Sequence, residues 1–257
     1  MKKEDKKKIK KNKLNEEKLD DILDDNRKID EEFTDVDTHH SFKIIKNLFI
    51  IFILLVIFVR FYGVSQVVTK EYSIISEEIP KGFDGMKIVQ ISDIHYGTTI
   101  NESSLKKMVN KVNQLKPDII VFTGDLIAKG INPTDKIKAE IAVNLSKLKA
   151  TIGKYAIASN EDLESDSFSD LITNSGFTLL NNEAKLIYNN DDEPIELVGI
   201  SDINSKIELT DNYKIALIHK PDDFDNIKND NYNIVMAGHN HGGIIRLPFL
   251  GGLINIE

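Results

Sequence analysis

The sequence predicts an α/β domain with a sheet-rich second half over residues 71–257, and three features predict it. Short runs rich in Ile and Val recur at 87–92, 119–123, 155–159, 196–200, 214–219 and 233–237, with the length and composition of buried strands. Helix-period stretches lie between several of them at 103–115, 134–148 and 167–173, and such alternation packs helices onto a sheet. Asn190, Asp191, Asp192, Glu193 and Pro194 form a turn between two apolar runs, 186–188 and 195–198, which makes that pair a hairpin.

Composition narrows the chemistry. The 257 residues hold no cysteine, so a disulfide framework, a thiolate metal site and a cysteine nucleophile are excluded, and any metal must be held by nitrogen and oxygen. Lys and Arg number 33 against 41 Asp and Glu, a net charge of -8, and this balance argues against a surface that tracks nucleic-acid phosphates. No nucleic-acid partner is expected.

The charge is uneven along the chain. Residues 1–46 carry 13 basic and 13 acidic side chains, including a lysine block from Lys2 to Lys13, so the net acidity belongs to the remainder. Such a stretch buries too little apolar surface to offset its ordering entropy, and it reads as a disordered tail, or at most a frayed helix over 14–29. His39 and His40 within it read as a solvated pair.

Residues 48–59 are then uninterruptedly apolar, and 48–68 contain a single charge, Arg60, which can snorkel to an interface. Residues 47–68 are therefore expected to be a transmembrane helix or signal anchor. Gly63, Val64 and Ser65 loosely resemble a cleavage site, but the long preceding tail counts against a cleaved signal peptide. Lys43, Lys46 and the lysine block precede the helix, which favours a single-pass protein of the cell membrane with its tail inside and its catalytic domain extracytoplasmic.

The chemistry lies where the apolar runs end. One runs into Asp93, Ile94 and His95, the next into Gly124 and Asp125, and a third into Asn160, Glu161 and Asp162. Two more end at His219 and at Gly238, His239, Asn240 and His241. In an α/β sheet the carboxyl ends of strands border the ligand crevice, so these distant residues can converge. Of six histidines, the four outside the tail all fall at such ends, and clustering of that kind favours a metal site over separately capped histidines. Gly124 and Gly238 suit sharp turns with close approach to the ligands, and Arg246 could meet an anionic substrate or simply support its loop.

Asp-x-His, Gly-Asp, an Asn, a lone His and Gly-His-x-His, in this order over residues 71–252, resemble the calcineurin-like metallophosphoesterases, and among them the bacterial membrane-associated phosphodiesterases. The resemblance implies a four-layer αββα sandwich around two divalent metal ions. It implies that Asp93, His95 and His241 hold one metal, that Asn160, His219 and His239 hold the other, and that Asp125 bridges them. A water shared by the metals would lose its proton near neutral pH and attack phosphorus in line. The nitrogen and oxygen donors suit manganese, iron or zinc.

Two departures stand against this. Where the family has Gly-Asn-His, this chain has Ser159, Asn160 and Glu161, and the missing histidine is expected to contact phosphate and assist the leaving group. Glu161 could be the catalytic acid if desolvation or Asp162 raised its pKa. Only 16 residues follow His241, with the start of a strand at Leu253, so the domain is expected to be C-terminally incomplete. Two function classes follow: a membrane-anchored, dinuclear phosphodiesterase acting on a lipid or other cell-envelope phosphoester, or a degenerate metal-binding module with weak or no turnover.

Overall fold

The structure, a computed structural model, describes residues 3–58, 67–240, 245–247 and 251–254. The chain divides into two units, Met1–Gln66 and Val67–Glu257.

In the first unit, helix α1 runs over Lys3–Phe58. The physical reason is the absence of a breaker, since the first glycine is Gly63 and the first proline Pro80, while Lys, Glu, Leu and Ile fill the segment. Within α1, residues Ser41–Phe58 are apolar and long enough to cross a membrane, and none of that window is buried. Residues 47–58 of the expected 47–68 segment fall inside this window. Residues 59–66 lie outside the described residues, and Val67 and Val68 are not helical.

The second unit holds two four-stranded sheets. In the first, β1 (Ile88–Ile91), β2 (Ile119–Phe122), β3 (Gly153–Ala156) and β4 (Thr178–Leu179) are parallel neighbours in that order. Helices α2 (Glu102–Leu115), α3 (Asp135–Leu145) and α5 (Phe168–Asn174) link them. A single turn, α4 (Asn160–Leu163), follows β3. The second sheet runs β5 (Glu183–Ile187), β6 (Ile195–Gly199), β7 (Tyr213–Ile218) and β8 (Ile234–Ala237). Its β5–β6 pair is the antiparallel hairpin expected around Pro194, and β6, β7 and β8 are parallel. Strand β4 was not anticipated, because two residues carry no readable period. Near the end, β9 (Ile245–Leu247) pairs antiparallel with β10 (Gly251–Ile254), which puts Arg246 on a strand.

Strand alternation sorts the core into layers. In β2, Ile120 and Phe122 face the helices with Leu105, Val109, Ile141 and Leu171. Ile119 and Val121 face the other sheet, where they meet a layer containing Ile195, Leu197, Ile215 and Leu217. On the outer side of the second sheet, Val198, Ala216 and Ile218 gather with Ile227 of α6 (Phe224–Ile227). The result is the αββα arrangement. Gln90 stitches the sheets at the site end, its amide donating to Thr123 Oγ1 and the Ala237 carbonyl, both at 2.9 Å.

Helix α2 shows how local chemistry orients this packing. Asn101 caps it by accepting from the Ser104 amide at 3.0 Å, and Leu105, Val109 and Val112 form its buried stripe before Lys116 ends it in the left-handed region. Leu105 is fully buried. Leu105→Ala is expected to destabilise the domain by about 3 kcal/mol, read as a lower urea midpoint at unchanged slope, while Leu163→Ala at an exposed position shifts it by less than about 0.5 kcal/mol.

Candidate metal centre

Each described site residue lies just beyond the carboxyl end of a strand. Asp93 and His95 follow β1, Asp125 follows β2, Asn160 and Glu161 open α4 after β3, His219 follows β7 and His239 follows β8. His241 lies outside the described residues.

The turns are locked by backbone bonds. The amides of Asp93 and His95 donate to the carbonyls of Gly124 and Asp125 at 2.9 and 3.0 Å, which carries the β1–β2 pairing past the strand ends. The Gly238 amide donates to the His219 carbonyl at 2.9 Å. The sheets are joined when the His239 amide donates to the Asp93 carboxylate at 3.0 and 3.1 Å. This geometry bends the backbone hard: Asp93, His95, Asp125 and His239 have φ of 53°, 42°, 61° and 68°. Left-handed backbone at a non-glycine residue costs on the order of 1–3 kcal/mol and persists where surroundings over-determine it.

Both glycines read as close-approach positions hold that role. Gly124 has φ 102°, and a Cβ there would lie 2.8 Å from the His219 ring nitrogen. A Cβ on Gly238 would collide with Ser92 Oγ and come within 2.8 Å of the Asp93 carboxylate.

The polar groups form two sets that share one member. Asp93, Asp125, His219 and His239 present ligand atoms all within 4.8 Å of one another, and so do His95, Asp125 and Glu161. Asp125 is common to both, and His95, grouped with Glu161, also lies 4.0 Å from Asp93 Oδ1. Asn160 is exposed and lines the open cleft above them with Lys129, Ser159, Glu164 and Lys220.

The donor set fits cations. His219 Nδ1 lies 2.8 Å from the Thr123 carbonyl, to which its N–H donates, so the neutral ring turns the lone pair of Nε2 inward. Nε2 faces Asp125 Oδ2 at 3.3 Å and His239 Nδ1 at 3.1 Å, so it donates to Asp125 when protonated and offers its lone pair to a cation when neutral. Among the described residues, Asp125 Oδ1 and Glu161 Oε2 are buried with no hydrogen-bond partner.

The titration shifts follow the same logic. Burial pushes the Asp125 carboxyl up, but hydrogen bonds from His219 and Ser159 and the charges of His219 and His95 outweigh it and hold it at about 2. Burial pushes His219 down, and the Asp125 bond and the Thr123 carbonyl reverse this, so that ring is raised. Burial, then the charges of His219 and Lys220, lower His239.

Sequence reasoning missed Asp162, treating it only as a neighbour that could raise the Glu161 pKa. Its carboxylate is turned elsewhere: it accepts from the backbone amides of Asp125, Leu126 and Ser159 at 2.7, 3.0 and 3.1 Å and from Ser159 Oγ at 3.1 Å. Ser159 and Asp162 form a capping box for α4. The readable signal was Ser-x-x-Asp over 159–162, a capping-box spacing at a strand end. Burial raises the Asp162 carboxyl against the pull of these bonds. Glu161 instead places Oε1 3.3 Å from Lys129 Nζ.

A two-sheet α/β sandwich with a carboxylate and imidazole cluster across its strand ends defines a metallohydrolase class of protein. The family model for calcineurin-like phosphoesterase matches residues 86–243, so the chain belongs to that family and is a metal-dependent phosphoester hydrolase. It is 36% identical over 212 residues to the uncharacterized metallophosphoesterase YkuE of Bacillus subtilis, covering 77% of this chain and 72% of that one. It is 26% identical to the UDP-2,3-diacylglucosamine pyrophosphatase LpxG of Chlamydia muridarum, over 66% and 69% of the two chains. To the phosphodiesterase YaeI of Escherichia coli it is 24% identical, over 64% of each.

Two outcomes are expected. Asp162→Asn turns an amide N–H2 toward backbone donors, and should lower stability by about 2–3 kcal/mol and weaken metal binding at Asp125, measured by denaturation and by metal titration. A carboxyl depressed in the folded state stabilises the fold above its unfolded value and loses that contribution as pH falls through the folded one. In metal-free protein, the stability difference between wild type and Asp125→Asn should therefore shrink as pH falls from 3.8 to about 2, by about 2 kcal/mol, measured by denaturant titration at each pH.

Proposed function

We propose that this chain is a membrane-anchored phosphodiesterase that takes two divalent cations, and that its substrate is a lipid or other cell-envelope phosphoester. The observation that carries the reading is Asp125, whose carboxylate belongs to both ligand sets and has one buried oxygen unpaired among the described residues. Asp93, His219 and His239 would hold one cation with Asp125, His95 would hold the other, and Asn160 at the cleft wall and His241 would complete the shells. The nitrogen and oxygen donors suit manganese, iron or zinc. When bound, such cations polarise the phosphoryl group and lower the pKa of an attacking water.

The chain's own residues do the rest. Asp125, held at about 2, stays ionised at any working pH. Thr123 fixes the His219 ring so that Nε2 faces the centre. Lys129 and Lys220 line the cleft and bring positive charge toward the anionic phosphoester. A diester or pyrophosphate linkage is supported by the two relatives named for such activities. The lipid or envelope class rests on one relative's diacylglucosamine substrate and on the apolar window Ser41–Phe58, which would keep the domain near a bilayer. The lysines before that window favour an extracytoplasmic domain.

A second reading, a metal-binding envelope module with weak or no turnover, is favoured by Glu161, which stands where the family's phosphate-contacting histidine is expected. One experiment separates them: full-length protein in membranes is given a chromogenic bis-aryl phosphodiester with manganese. The phosphodiesterase reading expects hydrolysis that sediments with the membranes, stops on chelation and falls by about 10³-fold or more in Asp125→Ala. Two bound ions without turnover favour the module, and no bound metal removes the centre itself.

A further inference from the structure

The unabsorbed feature of the site is Glu161, for which the acid role has no structural support: Asp162 does not face it, and its Oε1 is engaged by a lysine. We propose that Glu161 is a metal ligand on the His95 side of the centre, and that Lys129 is its positioning residue. The inference deepens the two-cation reading above and rests on it.

Three observations converge. A Glu161 carboxylate oxygen, a His95 ring nitrogen and an Asp125 carboxylate oxygen lie within 4.8 Å of one another. Two ligand atoms bound to one cation at about 2.0–2.2 Å are at most about 4.4 Å apart, so the three are near enough for side-chain rotation to bring them into one shell. Among the described residues, Glu161 Oε2 is buried and has no hydrogen-bond partner, a costly state for a carboxylate oxygen that a cation relieves. The backbone is fixed for this purpose, because the Ser159–Asp162 capping box holds α4 rigidly at the end of β3 and the same Asp162 carboxylate holds the Asp125 amide. Glu161 and Asp125 are thus set relative to each other through one intervening side chain.

Lys129 explains the orientation of the carboxylate. Its ammonium lies on the solvent side, 79% exposed, and takes Oε1 at 3.3 Å, leaving Oε2 for the interior. With Glu161 included, Asp93, Asp125 and Glu161 set three negative charges against the four positive charges of two divalent cations. Oxygen in place of a neutral imidazole shifts preference toward harder ions such as manganese over zinc.

The test counts bound ions on the full-length protein in detergent, stripped of metal and titrated with manganese, following free Mn2+ by its EPR signal. Wild type is expected to take two ions. Glu161→Ala should keep one at wild-type affinity and bind the other at least ~10-fold more weakly, with Glu161→Gln between them and circular dichroism unchanged. Lys129→Ala should weaken the same ion by a smaller factor. Two ions at wild-type affinity in both Glu161 variants overturn the assignment of Glu161 while leaving the centre in place. Wild type that takes fewer than two ions, or Asp125→Ala that keeps both, overturns the underlying two-cation reading instead.

Discussion

The buried carboxylate of Asp162 is the interaction on which the site depends. It gathers the amides of Asp125 and Leu126 beyond β2 and that of Ser159 beyond β3, and so ties together turns from two adjacent parallel strands. A backbone amide in such a place would otherwise lack a partner, because the strands have ended and water is excluded. The clamp lets Asp125 adopt its left-handed conformation and point its carboxylate toward His95 and His219. Placement of the shared ligand therefore follows from a residue that touches no candidate ligand atom of its own.

The same logic extends across the molecule. Four ligand candidates with positive φ sit within one cleft, and the sandwich core supplies the free energy that keeps them there. The strands behind them are dominated by fully buried aliphatic side chains, with Ile119, Ile120, Val121, Leu197 and Ala216 all inaccessible to solvent. A buried exception, Glu196, is matched by the Thr210 amide and hydroxyl, each at 3.0 Å from Oε2. The domain thus tolerates carboxylates in its interior where each has specific donors, and leaves oxygens unpaired where a cation fits.

Most of this was legible in the sequence because apolar runs and polar terminators mark strand ends without knowledge of the tertiary fold. The six main strands, three main helices and the hairpin follow from local period and turn chemistry. What escaped depends on contacts distant in sequence or on competing local effects. The neighbour of Glu161 is Lys129, on a different loop, so no local pattern reveals that its carboxylate meets an ammonium. His95 meets Glu161 across the ends of β1, β2 and β3 in one sheet, whereas the approach of His219 and His239 to Asp93 and Asp125 depends on how the two sheets pack. In residues 3–40 helical propensity and the absence of glycine or proline favour α1 without a buried face.

The strained, glycine-lined turns also couple occupancy to folding. The ligand atoms come from five separate strand ends, so the unfolded chain offers no comparable site, and a cation held only by the native form adds its binding free energy to stability. At a free concentration 100 times its Kd, one such ion contributes about 2.7 kcal/mol, comparable to a large core substitution. The thermal stability of this domain is accordingly a gauge of the free metal around it.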